Sequence, residues 1–329
     1  MTVRLLAFTE QGLALAETLA EMLDGEVSRC GESCPLDRWT AAAFREADAL
    51  VYVGAAGIAV RAIAPHLRSK AEDPAVLVAD ETGAFVIPIL SGHLGGANAL
   101  AERVASLIGG QAVITTATDR NGVFAVDLWA KAQNCAVLEP ERIKDVSAAL
   151  LAGKPVEYES DWPVSGAVPR GLVPGKDGGF SVSVTRKADD RLHLVPRIAS
   201  LGVGCRKGAD QQAIEKAFED LTKRFSLCPE AVCQVCTIDR KANEAGLLAF
   251  CSAHGWPLRS FPAERLAGLP GRFSASPFVE KTVGVDNVCE RAAVLGSGGD
   301  LLIPKQAGGG VTLAVALAPY APDWRWKDV

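Results

Sequence analysis

A histidine in a loop of small residues is the feature of this sequence that could most directly do chemistry. His93 is one of only four histidines, and it lies in the run S-G-H-L-G-G-A-N that begins at Ser91. An imidazole titrates near neutral pH, so His93 can act as a general base, and it can equally anchor the loop through hydrogen bonds. Ser91 lacks the G-x-S-x-G context of a nucleophilic elbow, so a serine nucleophile is not expected here.

The loop lies between an apolar run and an amphipathic segment, a pattern that predicts a strand, a loop and a helix. The strand covers 85–90, and the helix starts near Asn98 and ends at 109–110. In an open α/β sheet such a loop lies at the carboxyl edge, where ligands bind. Glycines let backbone N–H groups approach a ligand, and a helix N-terminus attracts anions. The segment therefore predicts a site for a polar ligand with carboxylates or phosphates.

Polar side chains follow the next predicted strand. Thr115, Thr116 and Asp119 could hold a polar substrate, or they could cap a loop and the helix after it. In the C-terminal part, Asp239, Lys241 and Glu244 occupy a comparable position after a strand, and Lys305 follows another strand.

A second glycine loop, G-V-G-C-R-K-G, begins at Gly202. Its glycine spacing differs from the dinucleotide-binding G-x-G-x-x-G, and no acidic residue ends a second strand at the expected distance, so NAD binding is not expected. Arg206 and Lys207 precede a helix that Asp210 should cap. They form either a pocket for a carboxylate or phosphate or a pair of solvated surface cations.

The alternation of strands and helices predicts an α/β protein. We expect two α/β domains with mainly parallel sheets, at 1–126 and 198–329. Between them, 127–197 is expected to be a small, variable middle segment, because 154–179 is rich in Pro, Gly and charge.

Composition excludes several classes of protein. The 329 residues carry a formal net charge of −5, which argues against a nucleic-acid partner, and no apolar stretch approaches the length of a membrane span. We therefore expect a soluble, cytoplasmic protein. Nine cysteines without a secretion signal predict reduced thiols. Cys233 and Cys236 lie in a predicted strand, where residues three apart point to opposite faces, so a zinc site is not expected.

Taken together, these segments resemble the cobalt-precorrin-5A hydrolase family (CbiG) of anaerobic cobalamin biosynthesis. In the N-terminal domain the resemblance lies in G-A-A-G-I-A-V-R from Gly54, S-G-H-L-G-G-A-N from Ser91 and T-T-A-T-D from Thr115. In the C-terminal domain it lies in G-V-G-C-R-K-G from Gly202 and T-I-D-R-K from Thr237. The C-terminal region also resembles CobE, a cobalamin-pathway protein of the aerobic route.

The resemblance implies a hydrolase that acts on a carbon–carbon bond. The family opens the δ-lactone on ring A of cobalt-precorrin-5A and releases C20 with its methyl group as acetaldehyde, which gives cobalt-precorrin-5B. The cobalt travels with the tetrapyrrole substrate, so no separate cofactor and no protein metal site are implied. Neighbouring cobalamin-pathway enzymes are candidate partners. A non-catalytic carrier of corrinoid intermediates remains the alternative, and the chain departs from the family pattern at 241–245, where an acidic residue and a proline are expected nearby.

The resemblance also suggests roles for residues of the first glycine loop. His93 is the expected general base, and Asp119 would orient it or a water molecule. N–H groups near Gly92, Gly95 and Gly96 would stabilise the oxyanion.

Other residues are expected to bind the substrate. Arg61, Arg206 and Lys207 would clamp its peripheral carboxylates. The remaining residues expected to contact it are Gly54, Gly57, Ser91, Asn98, Thr115, Thr116, Gly202, Gly204, Cys205, Asp239 and Lys305.

Overall fold

The computed structural model describes residues 1–68, 72–92, 95–116 and 122–326. The chain divides into two compact units, 1–128 and 129–329. The described residues form three β-sheets, one in the first unit and two in the second. The expectation of two sheets around a small middle segment is therefore corrected: the middle of the chain builds a sheet of its own.

The first sheet is mainly parallel and has helices on both faces. Its elements, in chain order, are β1 (Val3–Ala7), α1 (Glu10–Leu23), β2 (Glu26–Arg29), α2 (Leu36–Glu46), β3 (Ala49–Val53), α3 (Ala56–Ile63), β4 (Ala75–Ala79), β5 (Phe85–Leu90), α4 (Ala97–Ile108) and β6 (Gln111–Ala112). The strand order is β2-β1-β3-β4-β5-β6, and the described pairings are parallel except for β4 with β5. α1 and α4 pack on one face, and α2 and α3 on the other. The sequence predicts this layering, because strands buried on both faces read as continuous apolar runs.

The antiparallel pairing of β5 moves the loop after it to the other edge of the sheet. Leu90, at the end of β5, pairs with Val76 near the start of β4. Gly54, which follows β3, donates its N–H to the carbonyl of Ala79 at the end of β4 (2.8 Å). The loop therefore lies at the amino-terminal edge of β3 and β4, not at their carboxyl edge as expected. The cause is the short 80–84 connection, because only antiparallel neighbours can be joined by so tight a turn.

The middle of the chain forms a five-stranded sheet. Its elements are α5 (Val126–Ala132), β7 (Cys135–Val137), α6 (Ile143–Leu151), β8 (Val156–Ser160), β9 (Leu172–Pro174), β10 (Phe180–Val182) and β11 (Leu192–Pro196). The strand order is β7-β11-β10-β8-β9, with β7 antiparallel to β11 and the other described pairings parallel. Strands of three to five residues are too short for a clear alternation, so the pattern along the sequence is weak.

The end of the chain returns to this middle sheet. Trp324 is buried and stacks on Trp129, with the ring centroids 5.1 Å apart. It also meets Tyr158 edge to face, with the centroids 4.8 Å apart. Trp129 donates its indole N–H to the carbonyl of Asp323 (2.6 Å). The aromatic rings supply apolar contact area that such short strands lack.

The other face of the middle sheet carries a network of charges. Glu159 follows Tyr158 in β8 and so points away from the aromatic cluster. The guanidinium of Arg191, whose side chain is 6% exposed, lies 2.9 Å from the carboxylate of Glu159 and 2.7 Å from that of Asp189. The Lys187 ammonium, then Arg191, holds the pKa of Glu159 below its usual value, and Arg191 does the same for Asp189.

The third sheet is mixed rather than mainly parallel, which corrects the sequence prediction. Its elements are β12 (Ala199–Cys205), α7 (Gln211–Phe225), β13 (Val232–Ile238), α8 (Ala245–His254), β14 (Leu258–Phe261), α9 (Ala263–Ala267), α10 (Pro277–Val283), α11 (Cys289–Ser297), β15 (Asp300–Gly308) and β16 (Val311–Leu317). The strand order is β14-β13-β12-β16-β15, and β16 is antiparallel to both neighbours. Gly309 and Gly310 join β15 to β16 with positive φ angles, a turn typical of antiparallel hairpins.

The middle and third sheets share one hydrophobic core. It contains Val184 and Val195 from the middle of the chain together with Ile214 and Phe218 from α7. The second unit is therefore a single folded body built around two sheets. No helix in the described part of the chain combines the length and apolar character that crossing a membrane requires.

Replacing Arg191 by Met should destabilise the protein, because the carboxylates of Glu159 and Asp189 lose their buried partner. We expect the free energy of unfolding to fall by about 2 kcal/mol near neutral pH. Both carboxyls have lowered pKa values in the folded state, so their stabilisation is present above their unfolded pKa values and is lost as the pH falls through the folded ones. Urea unfolding should therefore show the difference from the wild type narrowing below about pH 4.

Lys176→Met is the matched control, because the Lys176 side chain is 79% exposed and lies 3.9 Å from the Glu159 carboxylate. It should leave the free energy of unfolding unchanged. Equal effects of the two substitutions would contradict a structural role for Arg191.

Candidate functional site

Two residues that the sequence assigns to chemistry, His93 and Asp119, lie outside the described residues, so their roles stay predictions. The other predicted site residues are described. They are divided between the two units.

The loop after β5 is closed by its own hydrogen bonds. The carbonyls of Ser91 and Gly92 accept the N–H groups of Ala97 (3.1 Å) and Asn98 (2.9 Å). The Ser91 hydroxyl donates to the carbonyl of Asp73 (2.9 Å). The first N–H groups of α4 are therefore already paired, and an anionic ligand cannot take these two donors without breaking the loop.

Glycine is required at two positions of this loop. A Cβ on Gly95 would lie 2.3 Å from the Cβ of Ser91, so a larger residue would push the loop open. Gly96 precedes α4 with a φ of 81°, a conformation that favours glycine.

Asn98 connects the loop to the end of β6. Its side-chain amide donates to the hydroxyl of Thr116 (2.7 Å). Because β6 is parallel to β5, Thr115 and Thr116 lie at the same edge as the glycine loop. The structure therefore brings the predicted residues Ser91, Gly92, Gly95, Gly96 and Asn98 to the same edge as the two threonines.

A cation that sequence reasoning missed lies beside this loop. The backbone N–H of Arg68 donates to both carboxylate oxygens of Asp73 (3.0 and 3.2 Å), and the carbonyl of Asp73 holds Ser91. The Arg68 side chain is exposed. No local pattern marks Arg68 in the sequence, because it is the reversal of β5 that brings the glycine loop to the edge where the segment of Arg68 precedes β4.

Two glycines predicted for this site are not gathered there. Gly54 and Gly57 follow β3 and lie at the opposite edge of the first sheet. Arg61 lies exposed in the last turn of α3. The first unit therefore presents two separate groups of predicted residues, one at each edge.

In the second unit, a cationic loop lies at the carboxyl edge of the third sheet. Arg206, Lys207 and Gly208 follow β12 and are exposed. Asp239 follows β13, which is parallel to β12, and so lies at the same edge. The side chain of Asp210 caps α7 by accepting the N–H of Ala213 (2.7 Å), as the sequence predicts.

Glu244 and Lys241, which the sequence places after the strand β13, hold this loop. One carboxylate oxygen of Glu244 accepts the N–H of Gly208 (3.0 Å), and the other lies 2.8 Å from the Lys241 ammonium. The Lys241 ammonium, followed by the Gly208 N–H, lowers the pKa of Glu244. The signal available in the sequence was the K-x-x-E spacing directly after a strand.

The two glycines before the cations serve packing. A Cβ on Gly202 would lie 1.8 Å from the carbonyl oxygen of Cys289 in α11. A Cβ on Gly204 would lie 2.5 Å from the hydroxyl of Thr312 in β16. Gly202 is buried, and the close approach of α11 to β12 explains why the chain has a glycine there.

The cysteines near this loop are not activated nucleophiles. Burial raises the pKa of Cys289 to about 11, and burial also raises the pKa of Cys205. Thiols with raised pKa values stay protonated near neutral pH and react slowly.

Lys305 belongs to an irregularity in β15 rather than to the cationic loop. Its backbone N–H donates to the carboxylate of Glu290 (2.7 Å), which is buried. The N–H and hydroxyl of Ser274 donate to the same carboxylate (2.7 and 2.8 Å). Glu290 thereby ties α11, β15 and the loop before α10 together.

A groove of about 350 Å³ lies between α7 and the β15–β16 turn. Its floor includes Ala217, Leu221 and Leu313, and Lys216 and Arg224 stand among its lining residues. Within the described residues, no group of three or more His, Cys, Asp or Glu side chains is placed to hold a metal ion.

Family models match three successive parts of the chain. The model described as Cobalamin synthesis G N-terminal matches residues 38–119, and the Cobalamin biosynthesis central region matches residues 124–178. The Cobalamin synthesis G C-terminus matches residues 199–316.

Relatives of known name cover most of the chain. The cobalt-precorrin-5A hydrolase of Salmonella typhimurium is 34% identical, over 96% of this chain and 98% of that protein. The cobalt-precorrin-5A hydrolase of Priestia megaterium is 31% identical, over 84% of this chain and 80% of that protein. Among solved structures, CobE, a protein from the cobalamin biosynthetic pathway, is 23% identical over 38% of this chain and 93% of its own, with a TM-score of 0.35.

Gly202→Ala should destabilise the protein, because the added methyl group meets a helix backbone that cannot move aside. We expect the free energy of unfolding to fall by about 3 kcal/mol. Gly308→Ala is the control in the same sheet, since a Cβ there meets nothing within 4 Å. Denaturant unfolding of both variants measures the difference. Wild-type stability in Gly202→Ala would show that packing does not explain this glycine.

Proposed function

The chain belongs to the cobalt-precorrin-5A hydrolase family, and from this premise we propose that it opens the ring A δ-lactone of cobalt-precorrin-5A and releases C20 with its methyl group as acetaldehyde. The observation that carries the proposal is the 34% identity to a hydrolase of that name across almost the full length of both proteins. The product is cobalt-precorrin-5B. The cobalt is bound in the substrate, so the protein needs no metal site for it.

The reaction needs a base, an oxyanion site and an acceptor of electrons. Water adds to the lactone carbonyl, and the ester C–O bond breaks to give a carboxylate and a hydroxyl on C20. Loss of the hydroxyl proton then turns C20 and its oxygen into acetaldehyde, while the electrons of the broken C–C bond enter the conjugated macrocycle. One water is consumed and no oxidant is required.

We assign the base to His93, with Asp119 orienting it or the water. The N–H groups near Gly92, Gly95 and Gly96 are the proposed oxyanion donors. The bond from the Ser91 hydroxyl to the Asp73 carbonyl supports this assignment for the neighbouring Gly92, because donors that are held in place before the reaction need no reorganisation.

Substrate binding is proposed to use the cations. The substrate carries acetate and propionate groups at its rim, and Arg206 and Lys207 are exposed at a sheet edge where carboxylates can reach them. Arg61 is proposed to bind further carboxylates in the first unit. The groove beside α7 offers apolar cover for part of the macrocycle.

Acetaldehyde release tests the proposed function directly. Purified protein with cobalt-precorrin-5A should release one acetaldehyde per substrate, trapped and quantified as a hydrazone. Binding of the substrate without any release would instead identify a carrier of corrinoid intermediates.

His93→Gln should slow acetaldehyde release by about 10²- to 10⁴-fold, because the base that activates water is lost. His66→Gln is the control, since His66 lies in the same unit in a short 3₁₀ helix after α3. If the His93→Gln protein binds substrate and releases acetaldehyde at the normal rate, His93 has no part in the chemistry.

Substituting both Arg206 and Lys207 by Met should raise the KM about tenfold and leave the single-turnover rate unchanged, because only binding of the rim carboxylates is weakened. Lys223→Met, which removes an exposed lysine paired with Glu219 on α7, is the control. A fall in the single-turnover rate at an unchanged KM would exclude a role limited to binding.

A further inference from the structure

The backbone N–H groups of the cationic loop differ in their hydrogen-bond acceptors. Arg206 donates its N–H to the carbonyl of Gly310 (3.0 Å), and Ala209 donates to the carbonyl of Arg206 (3.3 Å). These two bonds belong to the backbone of the turn. The N–H of Gly208 donates instead to a side chain, the carboxylate of Glu244 (3.0 Å). Its acceptor can therefore be exchanged without unfolding the turn.

Glu244 is not needed as a cap for its own helix. It occupies the residue before α8, yet its side chain makes no capping bond to that helix. It reaches across to the loop after β12, where it meets the Gly208 N–H and the Lys241 ammonium. A backbone N–H and an ammonium on the two oxygens of one carboxylate are the groups that bind a free carboxylate.

Two cations surround the Glu244 carboxylate: the Lys241 ammonium that it contacts and the nearby Lys207. The positive charges of Lys241 and Lys207 both lower the pKa of Glu244, so the carboxylate is ionised near neutral pH. The side chains of Lys241 and Glu244 are 16% and 15% exposed, which leaves the pair partly shielded but open to a ligand from the solvent.

We propose that the Gly208 N–H, Lys241 and Lys207 form a binding site for a rim carboxylate of the substrate, which Glu244 occupies in the free protein and leaves when the substrate binds. This inference rests on the proposed function for the identity of the ligand. The exchange replaces one carboxylate by another, so the N–H and the ammonium remain paired in both states. The displaced Glu244 returns to solvent, where its charge is hydrated.

Glu244→Gln tests the exchange. The amide oxygen can still accept the Gly208 N–H, but the competing negative charge is gone, so cobalt-precorrin-5A should bind about fivefold more tightly. The dissociation constant is measured by anaerobic absorbance titration. Lys241→Met, which removes a partner of the incoming carboxylate, should weaken binding by a similar factor.

Two controls show whether the change in binding comes from the Glu244 carboxylate and from the carboxylates of the substrate. Glu219→Gln makes the same change of charge on α7, where Glu219 pairs with Lys223 (3.3 Å), and should leave the dissociation constant unchanged. The same macrocycle with its side-chain acids converted to methyl esters should bind wild type and Glu244→Gln equally.

The outcomes separate this inference from the proposed function. Binding that is unchanged or weaker in both folded variants, Glu244→Gln and Glu244→Ala, or tighter binding of the ester as well, would overturn the exchange. Thermal unfolding of Glu244→Gln and of Glu244→Ala shows whether a loss of binding comes from misfolding: tighter binding in either folded variant supports the inference, and weaker binding in both folded variants overturns it. Wild-type protein that releases no acetaldehyde in the same samples would contradict the proposed function alone.

Discussion

The direction of β5 is the constraint on which the site of the first unit depends. The turn before β5 is held by one side chain: the carboxylate of Asp80 accepts the N–H groups of Thr82 (3.0 Å) and Phe85 (2.6 Å). An aspartate that bonds the backbone ahead of it closes a tight turn, and a tight turn makes the two strands antiparallel. The end of β5 is thereby sent to the edge where β4 begins.

That reversal decides which polar groups can act together. The glycine loop after β5 meets Thr116 through Asn98, and it meets Asp73 through Ser91. Had β5 run parallel to β4, the loop would lie instead beside Gly54. Asn98 and Ser91 therefore have Thr116 and the segment of Arg68 and Asp73 as neighbours along the edge, while Gly54 and Gly57 lie on a different surface of the same sheet.

Features that depend on residues close together in the chain could be predicted from the sequence, and features that depend on distant residues could not. The strand β5, the helix α4 and the cap by Asp210 depend on residues close in the chain, and each is found where the pattern indicates. The direction of β5, the middle sheet and the antiparallel β16 depend on pairings between distant strands, which periodicity does not encode. Gly202 shows the same limit at a single residue, because a G-x-G pattern suits both a ligand contact and the close packing against α11 that the structure displays.

Two carboxylates of the second unit show why burial and partner type decide what an acidic residue can do. Glu290 is 1% exposed, and its oxygens accept bonds from the N–H and hydroxyl of Ser274 and from the N–H of Lys305, so removing it would leave three donors on two segments without their acceptor. A buried acid with such partners is structural, since any replacement leaves unsatisfied groups away from water. Glu244 instead accepts hydrogen bonds from one backbone N–H and one lysine at the rim of the sheet. Both donors can bind another carboxylate there with little change in solvation. Another carboxylate can therefore take the place of Glu244 but not that of Glu290, although both are glutamates beside the start of a helix.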